Sequence, residues 1–306
     1  MKRALALAER GRGKVADHPL VGAVVVAGDE VVGEGWYEYD AVEHAEVIAL
    51  RQAGERARGA TLYVTLEPCA HHGRTPPCAD AVIEAGIACV VVGAADPNPK
   101  ASGGDERMRA AGVRVELLDS RDARRQNEAW RTWVSRRRPF VTYKVAVGVD
   151  GRVVVPGRRW VSGEESRRLV HELRAQSDAV AVGMGTVRAD KPRLDARGVG
   201  AARQPRRLAF GHGPTELELR SGTPAEELAA LAAEGVQSLL LEGGPTLATS
   251  FLRAGLVDKL LVFVAPVLAG DGPRFVGRLR DAVQLTELRA RRIGDDVLFE
   301  GYIREP

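Results

Sequence analysis

The chain has 306 residues, enough for two domains of ordinary size, each burying its own core. With 45% hydrophobic and 28% charged residues it reads as globular, and no apolar run approaches the roughly 18 residues of a membrane span. The net charge of +3 comes from interspersed acids and bases, which excludes the electrostatic footprint of a nucleic-acid or membrane-surface binder.

The first element, Lys2–Arg12, is helical by period. Charges on both sides of its short apolar stretch mark an amphipathic helix of a cytoplasmic protein, not a signal peptide. Val21–Ala27 (VGAVVVA) reads as a buried strand, turned by Gly28–Asp29 into a second, Glu30–Gly35. A helix over Glu43–Arg56 and a strand over Thr61–Leu66 follow. Pro76–Ala85 reads as a helix with prolines in its first turn, where a missing N–H costs nothing. Strands Ala88–Gly93 and Val113–Leu118 and a polar helix over about 120–134 complete the first half. The basic stretch Ser135–Pro139 marks the boundary, giving domains of 1–136 and 138–306. The second half opens with strand Phe140–Val147 and a turn at Asp150–Gly151. Ala179–Val182 and Ser238–Leu241 look like buried parallel strands, each leading into glycines and a helix start, as in a doubly wound sheet. Val297–Ile303 is a last strand.

Three cysteines, Cys69, Cys78 and Cys89, are too few for a disulfide framework and point to metal, catalysis or core packing. Cys89 lies in an apolar strand and reads as core. His44-Ala45-Glu46, combined with Pro68-Cys69 and Pro77-Cys78, offers three borderline or soft ligands and leaves the fourth tetrahedral position open. Zinc held by His44, Cys69 and Cys78 would lower the pKa of water for attack on a C–NH2 carbon. Glu46, placed in the first helical turn beside His44, would carry the proton from water to departing ammonia. Two blander readings stand beside this one. His71 or His72 could close the site into a structural zinc, or the cysteines could be core residues without metal.

The stretch LEPCAHHGRTPPCADAVIEAG (Leu66–Gly86) resembles the deaminase half of the bifunctional riboflavin-biosynthesis deaminase/reductases, as do Pro19–Val24 and Asp96-Pro97-Asn98-Pro99. The resemblance implies a cytidine-deaminase-like αβα domain with zinc on His44, Cys69 and Cys78 and Glu46 as proton shuttle. Its substrate would be a diaminopyrimidinone carrying a ribosylamino 5-phosphate, touched by Arg74, Thr75 and Asn98. The chain departs from the family pattern at His18, Tyr37 and Ile48, where Asn, His and Asn are usual, and in the loop Lys100–Glu106.

In the second half, RPFVTYKVA…DG, WVSGEESRRLVHELRAQSDAVAVGMGTVRADKPRL and LLLEGGPTLATSFLRAGLVDKL resemble the family's reductase half. The residues alone show only that Glu242-Gly243-Gly244, followed by a helix, offers N–H groups to an anion. The resemblance implies a dihydrofolate-reductase-like α/β domain. NADPH would lie against Ala146, Trp160, Thr186, Asp190 and the run Gly244, Pro245, Thr246, Leu247, Ala248, Thr249 and Ser250. Arg174, Leu194, Arg197 and Glu242 would face the phosphoribosylated pyrimidine. Gly148 replaces the family's usual Ser, and the segment between Arg206–Phe210 and Ser238 is shorter by about a strand and a helix. The sequence thus predicts a zinc- and NADPH-dependent homo-oligomeric enzyme. Its rivals are a deaminase with a degraded reductase scaffold, a nucleic-acid base editor, and a binding protein with a structural zinc.

Overall fold

A computed structural model describes all 306 residues, which form two compact units, Met1–Ser135 with Pro306 and Arg136–Glu305. In the first, the chain runs α1 (Lys2–Ala8), β1 (Gly22–Ala27), β2 (Glu30–Trp36), α2 (Ala45–Ala53), β3 (Thr61–Val64), α3 (Cys78–Glu84), β4 (Cys89–Val92), α4 (Gly104–Ala110), β5 (Arg114–Leu117), α5 (Arg121–Gln126) and α6 (Glu128–Arg136). The sheet order is β2-β1-β3-β4-β5, with β1 antiparallel to β2 and β3, and β3, β4 and β5 parallel. Alternating Val, Leu and Ala side chains such as Val25, Leu62 and Val90 meet Ala49 and Val82 of the helices in the core. Glycines in the strands let α2 lie unusually close to the sheet. A Cβ at Gly33 would fall 2.0 Å from the Ala49 carbonyl, and one at Gly35 2.1 Å from that of Ala45.

Local chemistry shifts three expected boundaries. His44 precedes α2 as its N-cap with extended backbone (ψ 156°) and is outside the first turn. The prolines likewise precede α3. Pro77 is the N-cap with ψ 132°, and it bars the helical region to Pro76. The polar helix expected over 120–134 is two helices, broken at Asn127. The buried Asn127 amide instead clamps the Leu20 backbone, accepting from its N–H at 2.8 Å and donating to its carbonyl at 2.9 Å.

The second unit runs β6 (Phe140–Gly148), α7 (Glu164–Gln176), β7 (Ala179–Gly183), α8 (Met184–Asp190), β8 (Arg206–Phe210), β9 (Glu218–Arg220), α9 (Pro224–Ala233), β10 (Ser238–Leu241), α10 (Pro245–Arg253), β11 (Lys259–Ala265), β12 (Thr286–Ile293) and β13 (Asp296–Tyr302). Its sheet order is β12-β13-β11-β6-β10-β7-β8-β9. The strands from β11 to β9 are parallel, and apolar runs such as Leu239–Leu241 are buried as that arrangement requires. β12 and β13 run antiparallel because the two-residue turn Gly294–Asp295 reverses the chain, with Gly294 at φ 58°. At the amino ends of β6 and β11, fully buried Asp258 accepts two 2.6 Å bonds from Arg138 and one from the Val141 N–H. Both a strand (β9) and a capped helix (α9) occupy the segment that the sequence marked as short.

Candidate functional site

In the first unit the carboxyl end of β3 delivers Cys69, the start of α3 delivers Cys78, and the start of α2 delivers His44. His44 Nδ1 lies 3.0 Å from Cys78 Sγ and 3.7 Å from Cys69 Sγ, and the three donor atoms fall within 4.8 Å of one another. Ligand atoms on a tetrahedral zinc stand roughly 3.5–3.8 Å apart, given Zn–S near 2.3 Å and Zn–N near 2.0 Å, so the set fits that ion after small shifts. His71 borders the cavity with an exposed side chain and His72 is exposed. Neither belongs to the donor cluster, so the cluster retains the open position of a catalytic site. Cys69 is held below the usual thiol range because the Cys78 side chain hydrogen-bonds to it, and Cys78, the donor in that pair, is pushed up. The Cys78 backbone N–H also points at Cys69 Sγ, 3.4 Å away. A sulfur in this position is prepared as a thiolate ligand.

Glu46 is 3% exposed. Burial pushes its carboxyl up to about 7, against the opposing pull of His44. It opens on a cavity of about 260 Å³ bordered by His44, Cys69 and Asn98. Two of the unusual residues are there as well. Tyr37 sets its ring edge-on to His44 at 5.5 Å, and His18 leans on Tyr37 at the same separation. Ile48 instead packs beside Gly35 of β2 and does not border the cavity. Arg74 and Thr75 lie outside the lining too, with Arg74 exposed over the Tyr39 ring at 4.6 Å. Sequence reasoning missed Glu67 and Asp96, both in the lining, and the wall supplied by Trp130 and Trp133 of α6. An acid directly before the Pro-Cys turn was a usable signal for Glu67. The tryptophans gave none, because nothing local to α6 tells which face meets the cavity.

In the second unit, adjacent parallel strands β10, β7 and β8 each end in a pair of glycines: Gly243 and Gly244, Gly183 and Gly185, and Gly211 and Gly213. Such carboxyl ends form the usual ligand crevice of a parallel sheet. Gly244 is the N-cap of α10 and gives it no side-chain cap, leaving the Thr246 and Leu247 N–H groups for an anion. Thr186 borders Gly244, since a Cβ there would lie 3.4 Å from its Oγ1. Further along α10 the expected contacts turn inward. Ala248 is fully buried, and its N–H bonds Gly244. The Thr249 hydroxyl donates to the Pro245 carbonyl at 2.6 Å and accepts from the Gly277 N–H at 2.8 Å. Thr246 and Ser250 are exposed. Ala146 packs in the Val170–Phe263 cluster, Trp160 is 51% exposed between Arg159 and Arg167, and Asp190 is exposed at the end of α8.

Glu242 follows β10 and meets Arg174 through two bonds of 2.6 and 3.0 Å, and Lys144 at 3.4 Å. Burial alone would raise its carboxyl, but the two cations prevail and hold it down at about 2. The third Arg174 nitrogen, Nη1, reaches the Asp195 carbonyl at 3.2 Å. The Asp195 carboxylate in turn pairs with Arg193 and Arg197, whose side chains are otherwise open to solvent. Leu194 is buried at φ 54° in the turn that presents this cluster. Lys144, unlike Arg174 and Glu242, was not among the expected contacts.

A family model described as the cytidine and deoxycytidylate deaminase zinc-binding region matches residues 1–94, and one described as the RibD C-terminal domain matches residues 139–299. Along its length the chain is similar to riboflavin biosynthesis protein RibD of Aquifex aeolicus, at 37% identity over 98% of this chain and 96% of that one. RibD of Mycobacterium tuberculosis is 43% identical over 94% and 92% of the two chains. Among solved structures, Acinetobacter baumannii RibD superposes with a TM-score of 0.85 at 33% identity, covering 98% of this chain and 97% of that one. A Thermotoga maritima protein described as diaminohydroxyphosphoribosylaminopyrimidine deaminase/5-amino-6-(5-phosphoribosylamino)uracil reductase gives 0.84 at 32% identity, covering 99% and 97%. No helix of the chain is long and apolar enough to cross a membrane.

Proposed function

This chain belongs to the RibD family, the bifunctional deaminase/reductases of riboflavin biosynthesis, and on that premise we propose how its residues divide the work. The first unit deaminates a 2,5-diamino-6-(5-phosphoribosylamino)pyrimidin-4-one. His44, Cys69 and Cys78 hold zinc, which supplies Lewis acidity and lowers the pKa of water. Glu46 takes the proton of the attacking water and returns it to the leaving amino group. A carboxyl near 7 suits both tasks at neutral pH. Asn98, His18 and Tyr37 orient the heterocycle inside the cavity, with Arg74 and Thr75 at its mouth near the phosphate. The observation that carries this reading is the three-donor cluster opening, beside buried Glu46, on a cavity.

The second unit reduces the ribosyl chain of the deaminated product to ribityl. A reduced nicotinamide, NADPH, supplies the hydride. The paired glycines at the ends of β7, β8 and β10, Thr186 and the first turn of α10 hold its pyrophosphate. Ala248 and Thr249 support that turn from beneath. The sugar phosphate lies against Arg197 and Arg193. Arg174 is committed to Glu242 and Asp195, so it positions the Leu194–Arg197 turn more than it binds phosphate.

Mass spectrometry of the diaminopyrimidinone phosphate incubated with the full-length zinc-loaded enzyme tests both halves. The amino group should become oxo without cofactor, and two hydrogens should be gained only with NADPH. Deamination with no gain of hydrogen at saturating NADPH would remove the reductase assignment. An unchanged substrate would remove the deaminase assignment.

A further inference from the structure

Glu67 sits between the end of β3 and the Cys69 turn and is 7% exposed. Main-chain donors from the segment after β4 take both of its oxygens. Oε2 accepts from the Asp96 N–H at 3.1 Å, and Oε1 accepts from those of Gly103 at 2.8 Å and Asp105 at 3.4 Å. α4 has no cap of its own, because its N-cap is Gly103 in the left-handed region, so the Glu67 carboxylate caps it from 36 residues away.

The segment held at both ends is an ordered loop. The Asp96 side chain accepts from the Asn98 N–H, the Asn98 side chain from that of Lys100, and the Asn98 carbonyl from those of Ala101 and Ser102. A further tether runs from the Ala70 N–H to the Ala101 carbonyl at 3.0 Å. The loop presses on the cysteine turn so closely that a Cβ at Gly104 would fall 1.7 Å from the Pro68 carbonyl. Asp96, Asn98 and Ala101 carry this loop into the cavity wall, and Ala101 packs with Cys69 and Cys78.

We propose that Glu67 is a positioning residue for the deaminase. It clamps the Asp96–Gly103 loop to the Cys69 turn and fixes the substrate-facing Asp96 and Asn98 at a set distance from the metal donors. Three N–H groups converge on it, which only an acceptor at both oxygens satisfies. An amide in its place would turn N–H against N–H. The inference rests on the deaminase reading of the cavity and adds to it a residue that borders the cavity but has both carboxylate oxygens engaged by the loop.

The test uses the full-length zinc-loaded enzyme with Glu67→Gln and Glu67→Asp, assayed on the diaminopyrimidinone phosphate. Loosening the loop should raise KM by roughly tenfold or more in Glu67→Gln while kcat changes less than about threefold. Zinc content should stay at the wild-type level, and Glu67→Asp should recover part of the loss. Amide hydrogen exchange gives a reading that needs no variant. The Asp96, Gly103 and Asp105 amides should be protected in the wild type, and in Glu67→Gln they should exchange about tenfold faster or more. An unchanged KM in a folded Glu67→Gln, loss of zinc along with affinity, or fast exchange of those three amides in the wild type would each overturn the clamp. If the wild type releases no ammonia, the deaminase reading fails, while the exchange pattern still tests the clamp.

Discussion

Replacing Glu242 with Gln tests whether the second unit is organised by charge. The wild-type carboxylate is 8% exposed at its side chain, with Arg174 and Lys144 at 14% and 15%. Its carboxyl is held at about 2, where an ordinary one sits at 4.5. That difference corresponds to about 3 kcal/mol favouring the folded, charged form. Breaking a buried ion pair from one side costs about 3–5 kcal/mol, so two routes give the same size. The sign follows from the lowered value: the contribution is complete above the ordinary carboxyl range and is lost as pH falls through it towards 2. Glu242→Gln should therefore lose about 3 kcal/mol at pH 7 and converge with the wild type near pH 2. Urea titration at several pH values, read by hydrogen exchange of β6 and β10 peptides, measures the second unit alone. Reductase turnover should fall with it, while ammonia release should not. A variant within about 1 kcal/mol of the wild type at pH 7, or a deficit that persists unchanged in acid, would refute the reasoning.

Other outcomes follow from the same geometry. Glu46→Gln should retain zinc, measured by metal analysis, and slow ammonia release by about 10²–10⁴-fold; persistence of turnover would remove its proton-carrying role. Chelation of zinc should abolish deamination yet leave NADPH oxidation with the deaminated pyrimidine intact, because the three-donor cluster lies in the first unit. Asp258→Ala should cost about 3–5 kcal/mol in urea unfolding, since it strands the Arg138 guanidinium in the interior. A loss below about 1 kcal/mol would mean that Arg138 finds water.

The sequence is most legible where function depends on near neighbours in the chain. His44-Ala45-Glu46 and the prolines before Cys69 and Cys78 announce a zinc site because ligand spacing and turn chemistry are local. Apolar runs such as Ala179–Val182 are buried strands, since a parallel sheet covers both faces. The losses come from long-range pairing. Asn127 looks like one more polar residue of a charged helix, but its partner Leu20 is 107 positions away. Trp130 and Trp133 become cavity wall only through the packing of α6. The resemblance makes Thr249 a cofactor contact, but its hydroxyl is taken by the Pro245 carbonyl and the Gly277 N–H. Helix ends move by a residue or two where Pro77 and the extended backbone of His44 intervene, and those shifts set where His44 and Cys78 stand.

Two acids show why a site cannot be read from its motif alone. Leu66-Glu67-Pro68 and Leu241-Glu242-Gly243 look alike: an apolar strand ends, a glutamate follows, and a turn residue breaks the chain. Both carboxylates are withdrawn from water at the carboxyl end of a central strand. The first is met by uncharged N–H groups of one loop, so it acts as a mechanical clasp. The second is met by two cations from β6 and α7, and it holds both beside the crevice. The clasp depends on the geometry of three dipoles and tolerates salt. The ion triad depends on charge, and its effect is tied to pH. Substituting an amide for each acid therefore disturbs loop geometry in one unit and local electrostatics in the other, and the two variants should differ in which measurement moves first.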